Sequence, residues 1–405
     1  MRRGRVRPRR TPRTRVEFGR PGQQRPRVLL WLVFGLLAVA LGGAIAAFAS
    51  SAWVPRVVQE VPATYVFPGT PPTIPWPQSG QAALTVSGLG GLGTSGQVAT
   101  AVPIASVAKV LTAYQILTDH PLAADAPGPS ITVSREDAVA YGRQLAEHES
   151  LVPVVSGEAL TERQALQALL LASADNIAQL AARWDAGSVP AFLTRMNKTA
   201  TRLGMTHSRY TDPSGLDRGT VSTAPDQLLL AAAAIRDPTF TEIVGERSAV
   251  IPVAGTIRNY NALLGRDGVI GIKTGSTLAA GGCLMFGADL SSGPDGRPRR
   301  VYGVVLGQPG SASTILPHAL AAARRLIESA QSVLATATVV PVGYRVAVVH
   351  EALRSDRVLT PQADVGVVGW PGMRYTLRVS GPPENVTLTV QSQAEPGYQV
   401  VSSLK

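Results

Sequence analysis

The feature that most limits this chain is an uninterrupted run of 23 uncharged residues at positions 28–50, "VLLWLVFGLLAVALGGAIAAFAS". A helix of that length rises about 35 Å, enough to cross a hydrocarbon layer of roughly 30 Å. The run reads as a single membrane span. Ahead of it, residues 1–27 hold eleven arginines and one glutamate. That tail has no apolar periodicity with which to bury a core, so it is expected to be disordered. Positive charge on the N-terminal flank places the tail in the cytoplasm and everything after residue 50 outside. A cleaved signal peptide is the other reading, because "AFA" at 47–49 has the small residues of a cleavage site. The apolar run is longer than the usual signal core of about 7 to 15 residues, which favours a retained anchor. Either reading exports the body.

The formal net charge is +11, and the tail accounts for +10 of it. A nucleic-acid function for the folded part therefore loses its support. Cys283 is the only cysteine, so no internal disulfide can form, and its setting in "GGCLMFGADL" predicts a buried strand residue. The five histidines are scattered without metal-ligand spacing, so neither metal nor cofactor is expected.

Residues 51–80 carry seven prolines and are expected to form a semi-rigid spacer. The main body, 81–335, mixes two textures. Short apolar runs bounded by Gly and Pro, "AALTVSGL", "GVIGIKTGST", "GGCLMFGADL" and "RRVYGVVLGQ", predict strands. Helical spacing is expected over 105–117, 161–184, 189–203 and 224–235, with a further helix in "SASTILPHALAAARRLIESAQ". "STAPD" combines a hydroxyl cap, an early proline and an acid in the first turn, and so marks a helix start. From about 336 to 405 the pattern turns to alternating strands, which predicts a small β domain.

Lysine is scarce. Of 38 basic residues only Lys109, Lys198, Lys273 and Lys405 are lysines. Lys109 lies three places after Ser106 in "IASVAKV", where a helix would put hydroxyl and amine on one face. A serine becomes a useful nucleophile only when a neighbouring base takes its proton. Lysine can serve when burial or a nearby cation lowers its pKa, and arginine cannot. On its own the pair is also an ordinary capped helix start. Two more elements join it: Ser173 in "LLLASADN", and Lys273, Thr274 and Gly275 in "GIKTGST".

Together, in this order, they resemble the Ser-x-x-Lys, Ser-x-Asn and Lys-Thr-Gly motifs of the penicillin-binding proteins and β-lactamases. The intervals of 67 and 100 residues between them are similar to those of the low-molecular-mass D-alanyl-D-alanine carboxypeptidases. The resemblance implies an α+β fold: an antiparallel sheet flanked by helices with an all-helical subdomain, here followed by the small all-β domain. It implies that Ser106 is acylated, Lys109 is its base and Ser173 relays a proton to the leaving amine. Lys273 would raise the local positive potential and Thr274 would hold the substrate carboxylate. The backbone N–H groups of Ser106 and Ser276 would bind the oxyanion, and Gly275 would let a peptide lie against its strand. Peptidoglycan stem peptides and β-lactams are the implied partners.

One position departs from the pattern. Asp175 stands where the family usually has Asn, and Asn176 follows it. Adjacent helix positions point about 100° apart, so Asn176 cannot simply replace it. Asp175 and Asn176 are the substrate-binding candidates of this motif: an ionised Asp175 could pair with Lys109 or Lys273 and oppose the amine's use as a base, or could accept the hydrogen bond that the family's Asn accepts from substrate. The leading expectation is a D-Ala-D-Ala carboxypeptidase; the alternatives are a catalytically impaired wall-binding relative and a β-lactamase. His207 reads as a loop residue, Asp212 in "TDPSGLD" as a turn-stabilising carboxylate, and Lys198 as solvated.

Overall fold

The computed structural model describes residues 25–405 apart from 53–54, 148, 291–297 and 352–353. The chain divides into two compact units, 1–58 with 348–357 and 59–347 with 358–405. The first contains helix α1, Arg25–Ala52. Its window Leu30–Ala47 has mean hydropathy 2.3 and no buried residue, and among the described residues it is the one helix long and apolar enough to cross a membrane. The basic tail up to residue 24 lies outside the described residues.

The second unit is built on a five-stranded antiparallel sheet: β1 (Gln81–Val86), β2 (Gly90–Ser95), β3 (Val269–Thr277), β4 (Gly281–Leu290) and β5 (Arg299–Gln308), in the order β3-β4-β5-β1-β2. All four apolar runs singled out in the sequence are strands of it. The helices α2 (Lys109–Asp119), α3 (Arg135–Ala146), α4 (Glu162–Leu170), α5 (Asp175–Ala186), α6 (Val189–Arg202), α7 (Ala224–Ala234) and α8 (Pro238–Gly245) are inserted between β2 and β3, and α9 (Ile315–Val333) follows β5. Strand period sorts the two faces. Along β4, Cys283 and Met285 join one core with Val107, Leu111, Ile177 and Phe192 of the helical region. Leu284 and Phe286 are buried on the alternate face. There α9 comes so close that a Cβ on Gly282 would lie 1.9 Å from the Ile315 carbonyl oxygen.

Local chemistry explains several boundaries. The Thr223 hydroxyl accepts from the Asp226 N–H with Pro225 in the first turn, so "STAPD" does open α7. Ser134 and Thr161 form capping boxes at α3 and α4. The single helix expected over 161–184 is corrected to two, because the chain breaks at 171–174 between α4 and α5. Apolar spacing runs through the break unchanged, and tertiary contacts decide it.

After α9 the chain turns to strands. Ala335–Val340 pairs with Val365–Gly369, while Arg374–Ser380, Thr387–Ser392 and Gln399–Ser403 form an antiparallel sheet. The proline-rich segment does more than span a distance. Its strand Thr64–Val66 pairs with Arg374–Ser380 as the outer strand of that sheet, and Phe67 N–H donates to the Met373 carbonyl at 2.8 Å.

Candidate active site

The turn before α2 is tighter than an α-helix. Ala105–Ala108 is a 3-10 segment, entered through Ala105 at φ +48°. Ser106 is half-buried at its start and Lys109 fully buried at its end. The Lys109 ammonium donates three hydrogen bonds: to Ser106 Oγ at 2.8 Å, to Asp175 Oδ1 at 2.6 Å and to the Ser214 carbonyl at 2.9 Å. Every N–H of that head group has an acceptor.

The break between α4 and α5 brings the middle motif to the same place. Ser173 is buried at φ +62°, a left-handed conformation uncommon for a residue with a Cβ. Asp175 opens α5, and its second oxygen accepts from the Ser150 N–H at 3.1 Å. Asn176 turns away. Its side chain exchanges hydrogen bonds with the Val152 backbone, accepting at 3.3 Å and donating at 2.8 Å. Of the two candidates, Asp175 occupies the site.

The third motif lies on β3, an edge strand of the sheet. Lys273 and Gly275 share one face, opposite Met285 and Cys283. A Cβ on Gly275 would lie 3.0 Å from the backbone nitrogens of Ser106 and Val107. The missing side chain lets β3 abut the nucleophile's own turn. Lys273 is buried and donates to the Thr274 carbonyl at 2.9 Å. Burial first, and then the charge of Lys109, push its pKa well below the ordinary lysine value, while Asp175 opposes them. Thr274 and Ser276 lie on the alternate face, Thr274 buried and Ser276 exposed.

Sequence reasoning missed the loop that completes the Lys109 cage. Asp212 accepts from the backbone N–H groups of Ser214, Gly215 and Leu216 and from the Ser214 and Thr220 hydroxyls. It is indeed a turn-stabilising carboxylate, and the turn aims the Ser214 carbonyl at Lys109. Gly215, at φ +82°, packs so tightly that a Cβ there would lie 1.9 Å from the Ala105 carbonyl oxygen. The Pro-Ser-Gly spacing after Asp212 was the available signal. A cavity of about 250 Å³ flanks the ion pair, lined by Glu149, Asp175, Gln179, Asp212 and Asp217 among others. Burial, and then the charge of Asp175, raise the Glu149 pKa. Among the described residues no three His, Cys, Asp or Glu side chains converge as metal ligands would.

Residues 83–309 match the family model described as D-alanyl-D-alanine carboxypeptidase, peptidase S11. The D-alanyl-D-alanine carboxypeptidase of Streptomyces sp. strain K15 is 30% identical over 230 residues, which cover 52% of this chain and 73% of that one. DacB2 of Mycobacterium tuberculosis is 39% identical over 136 residues, 32% of this chain and 46% of its own length. The crystal structure of the Streptomyces K15 DD-transpeptidase superposes with a TM-score of 0.54 at 25% identity, over 64% of this chain and 98% of that one. Penicillin-binding protein 5 of Haemophilus influenzae shares the fold over 83% of this chain and 98% of its own, with a TM-score of 0.58 at 19% identity. With a serine, two buried lysines and a sheet edge meeting inside the matched region, the chain belongs to the D-alanyl-D-alanine carboxypeptidase family of serine peptidases.

Proposed function

We propose that this chain removes the terminal D-Ala of peptidoglycan stem peptides through an acyl-enzyme on Ser106, and that β-lactams acylate the same serine. The observation that carries the reading is the 2.8 Å contact between Ser106 Oγ and Lys109 Nζ at a turn against which the Lys-Thr-Gly strand packs. The free edge of β3 suits an extended peptide, which can add to it as a further strand.

The steps join the Ser106–Lys109–Asp175 contacts to the roles that the family resemblance implies. Ser106 Oγ attacks the penultimate carbonyl carbon as its proton passes to Lys109. An amine must be neutral to accept that proton, and Asp175, 2.6 Å away, is the carboxylate placed to take the one it first gives up. The oxyanion forms against the backbone N–H groups of Ser106 and Ser276, each such donor contributing about 3 kcal/mol. Ser173 returns a proton to the departing amine of D-Ala, and water then releases the peptide from Ser106. Two buried amines share one carboxylate here, and Lys273 is the one left without an anion. The substrate carboxylate at Thr274 supplies it, and that anion pushes the Lys273 pKa back up toward the ordinary lysine value.

Helix α1 serves in this reading as a retained membrane anchor, with the catalytic unit on the extracytoplasmic side. The test is intact-mass analysis with penicillin alongside D-Ala release from a peptide ending in D-Ala-D-Ala. Wild type gains one adduct and releases D-Ala, and Ser106→Ala does neither. Release that persisted in the variant would refute the assignment. An adduct without release would point to a catalytically impaired relative.

A further inference from the structure

The largest cavity described lies away from the Ser106 turn. It is an open groove of about 430 Å³ between residues 75–79 and α9, with Pro75, Trp76, Pro77, Gln308, His318 and Arg325 in its lining. That volume lies in the range of small-ligand sites. Its chemistry is mixed: a half-buried indole between two prolines, with polar donors and acceptors around it. Arg325 is exposed and makes no hydrogen bond or ion pair among the described residues. An aromatic platform ringed by polar groups suits a ligand with apolar ring faces and polar edges.

The sheet register relates this groove to the reaction. Ser276 pairs with Gly282, and Gly282 pairs with Gln308. Gln308 therefore lies two strand spacings, about 10 Å, from the oxyanion residue. Its side chain donates to the Ser79 carbonyl at 2.8 Å, tying the groove wall to that end of the sheet. The proposed carboxylate site at Thr274 and oxyanion site at Ser276 also define a direction. The acyl part of the substrate runs from Thr274 past Ser276 toward the hairpin that joins β3 to β4, the end where Gln308 lies.

We infer that this groove holds the glycan to which the stem peptide is attached, so that the enzyme recognises glycan-linked stems over free peptides. The inference rests on the carboxypeptidase reading for its geometry. The roughly four residues between the cleaved bond and the sugar span at most about 14 Å when extended, which covers the 10 Å separation. Amino sugars present apolar ring faces to Trp76, a hydroxyl O–H to the Gln308 Oε1 acceptor, and hydroxyl and N-acetyl oxygens to Arg325.

The test compares kcat/KM of the full chain in detergent on a free stem pentapeptide and on the same peptide carried by its muramyl disaccharide. Wild type is expected to prefer the disaccharide substrate about tenfold, equivalent to about 1.4 kcal/mol. Trp76→Ala removes most of that preference, Arg325→Ala part of it, and neither changes turnover of the free peptide. Equal rates on both substrates in wild type, a preference that survives both changes, or an equal loss on both substrates would overturn the inference. Should wild type neither turn over peptide nor react with penicillin, the carboxypeptidase reading fails by itself. The groove is then judged by tryptophan fluorescence with a peptide-free tetrasaccharide of the same glycan. Saturable quenching lost in Trp76→Ala supports it; no saturable quenching, or binding of an acidic peptide in place of the saccharide, overturns it.

Discussion

Lys109 and Lys273 are both buried within one cleft, yet their surroundings are opposite. Lys109 has three acceptors, one of them the Asp175 carboxylate at 2.6 Å. The one hydrogen bond described for Lys273 goes to its neighbour's carbonyl, and its pKa is pushed well down. One amine is tied to an anion, and the hydrogen bond described for the other goes to a neutral carbonyl. Burial alone does not define a lysine's role; the anion beside it does.

The comparison breaks most severely at Lys109. Lys109→Met removes the proposed base and strands Asp175 without its cation, so penicillin acylation should fall by at least about 1,000-fold. Stability should drop by about 3–5 kcal/mol, as for a broken buried pair. Lys273→Met removes a charge that burial already disfavours, so denaturant unfolding should show a far smaller loss. Equal losses would mean that the two amines are held alike.

Next comes the turn that aims the Ser214 carbonyl. Gly215→Ala places a methyl 1.9 Å from the Ala105 carbonyl oxygen at a left-handed φ. Acylation should fall about 100-fold, the cost of displacing a catalytic group by about 1 Å. A crystal structure with an unmoved Ser106 turn would contradict this.

Asp175→Asn sharpens the comparison. Asp175 raises the Lys273 pKa against burial and Lys109, so its loss pushes that pKa lower still. Two readouts follow. The pH midpoint of acylation moves down, in the direction of the Lys273 shift. Substrate binding then takes up more protons than in wild type, measured by calorimetry in buffers of different ionisation enthalpy. An unchanged pH profile would remove Asp175 from the proton inventory.

Glu162 is a buried charge outside the cleft and serves as the control. Both its carboxyl oxygens are buried with no hydrogen-bond partner among the described residues, and burial, with the charge of Asp185, pushes its pKa up to about 7. The folded chain therefore binds this proton more tightly than the unfolded chain does. The stability it contributes is full below pH 4.5 and is lost as pH rises through about 7, reaching about 3 kcal/mol. Glu162→Gln should raise Tm above pH 7, leave it nearly unchanged at pH 4, and leave the acylation rate alone.

Much of this was legible in the chain itself. Ser106 and Lys109 could be paired from spacing, Lys273 from its Thr-Gly neighbours, and the start of α7 from Thr223 and Pro225, because each signal spans only a few residues. The mismatch at Asp175 was visible too, including the pairing with Lys109 as one of two options. The break at 171–174 was not. The apolar helical pattern continues across it, and nothing local requires Ser173 to adopt φ +62°. The packing constraint at Gly275 was not legible for a related reason, since the atoms that exclude a side chain there belong to Ser106 and Val107.

By itself the sequence determined element types, the membrane-length helix, the motifs that the candidate site is built from and the one departure from the family pattern. All of these depend on neighbours within one or two turns. Only the tertiary structure decided which of two lysines Asp175 serves, that the Ser214 carbonyl completes the cage, and that the proline-rich segment joins a sheet. Those choices bring together groups 66, 105 and roughly 300 residues apart along the chain. Burial and charge act through space, so local pattern carries no record of which distant group will arrive.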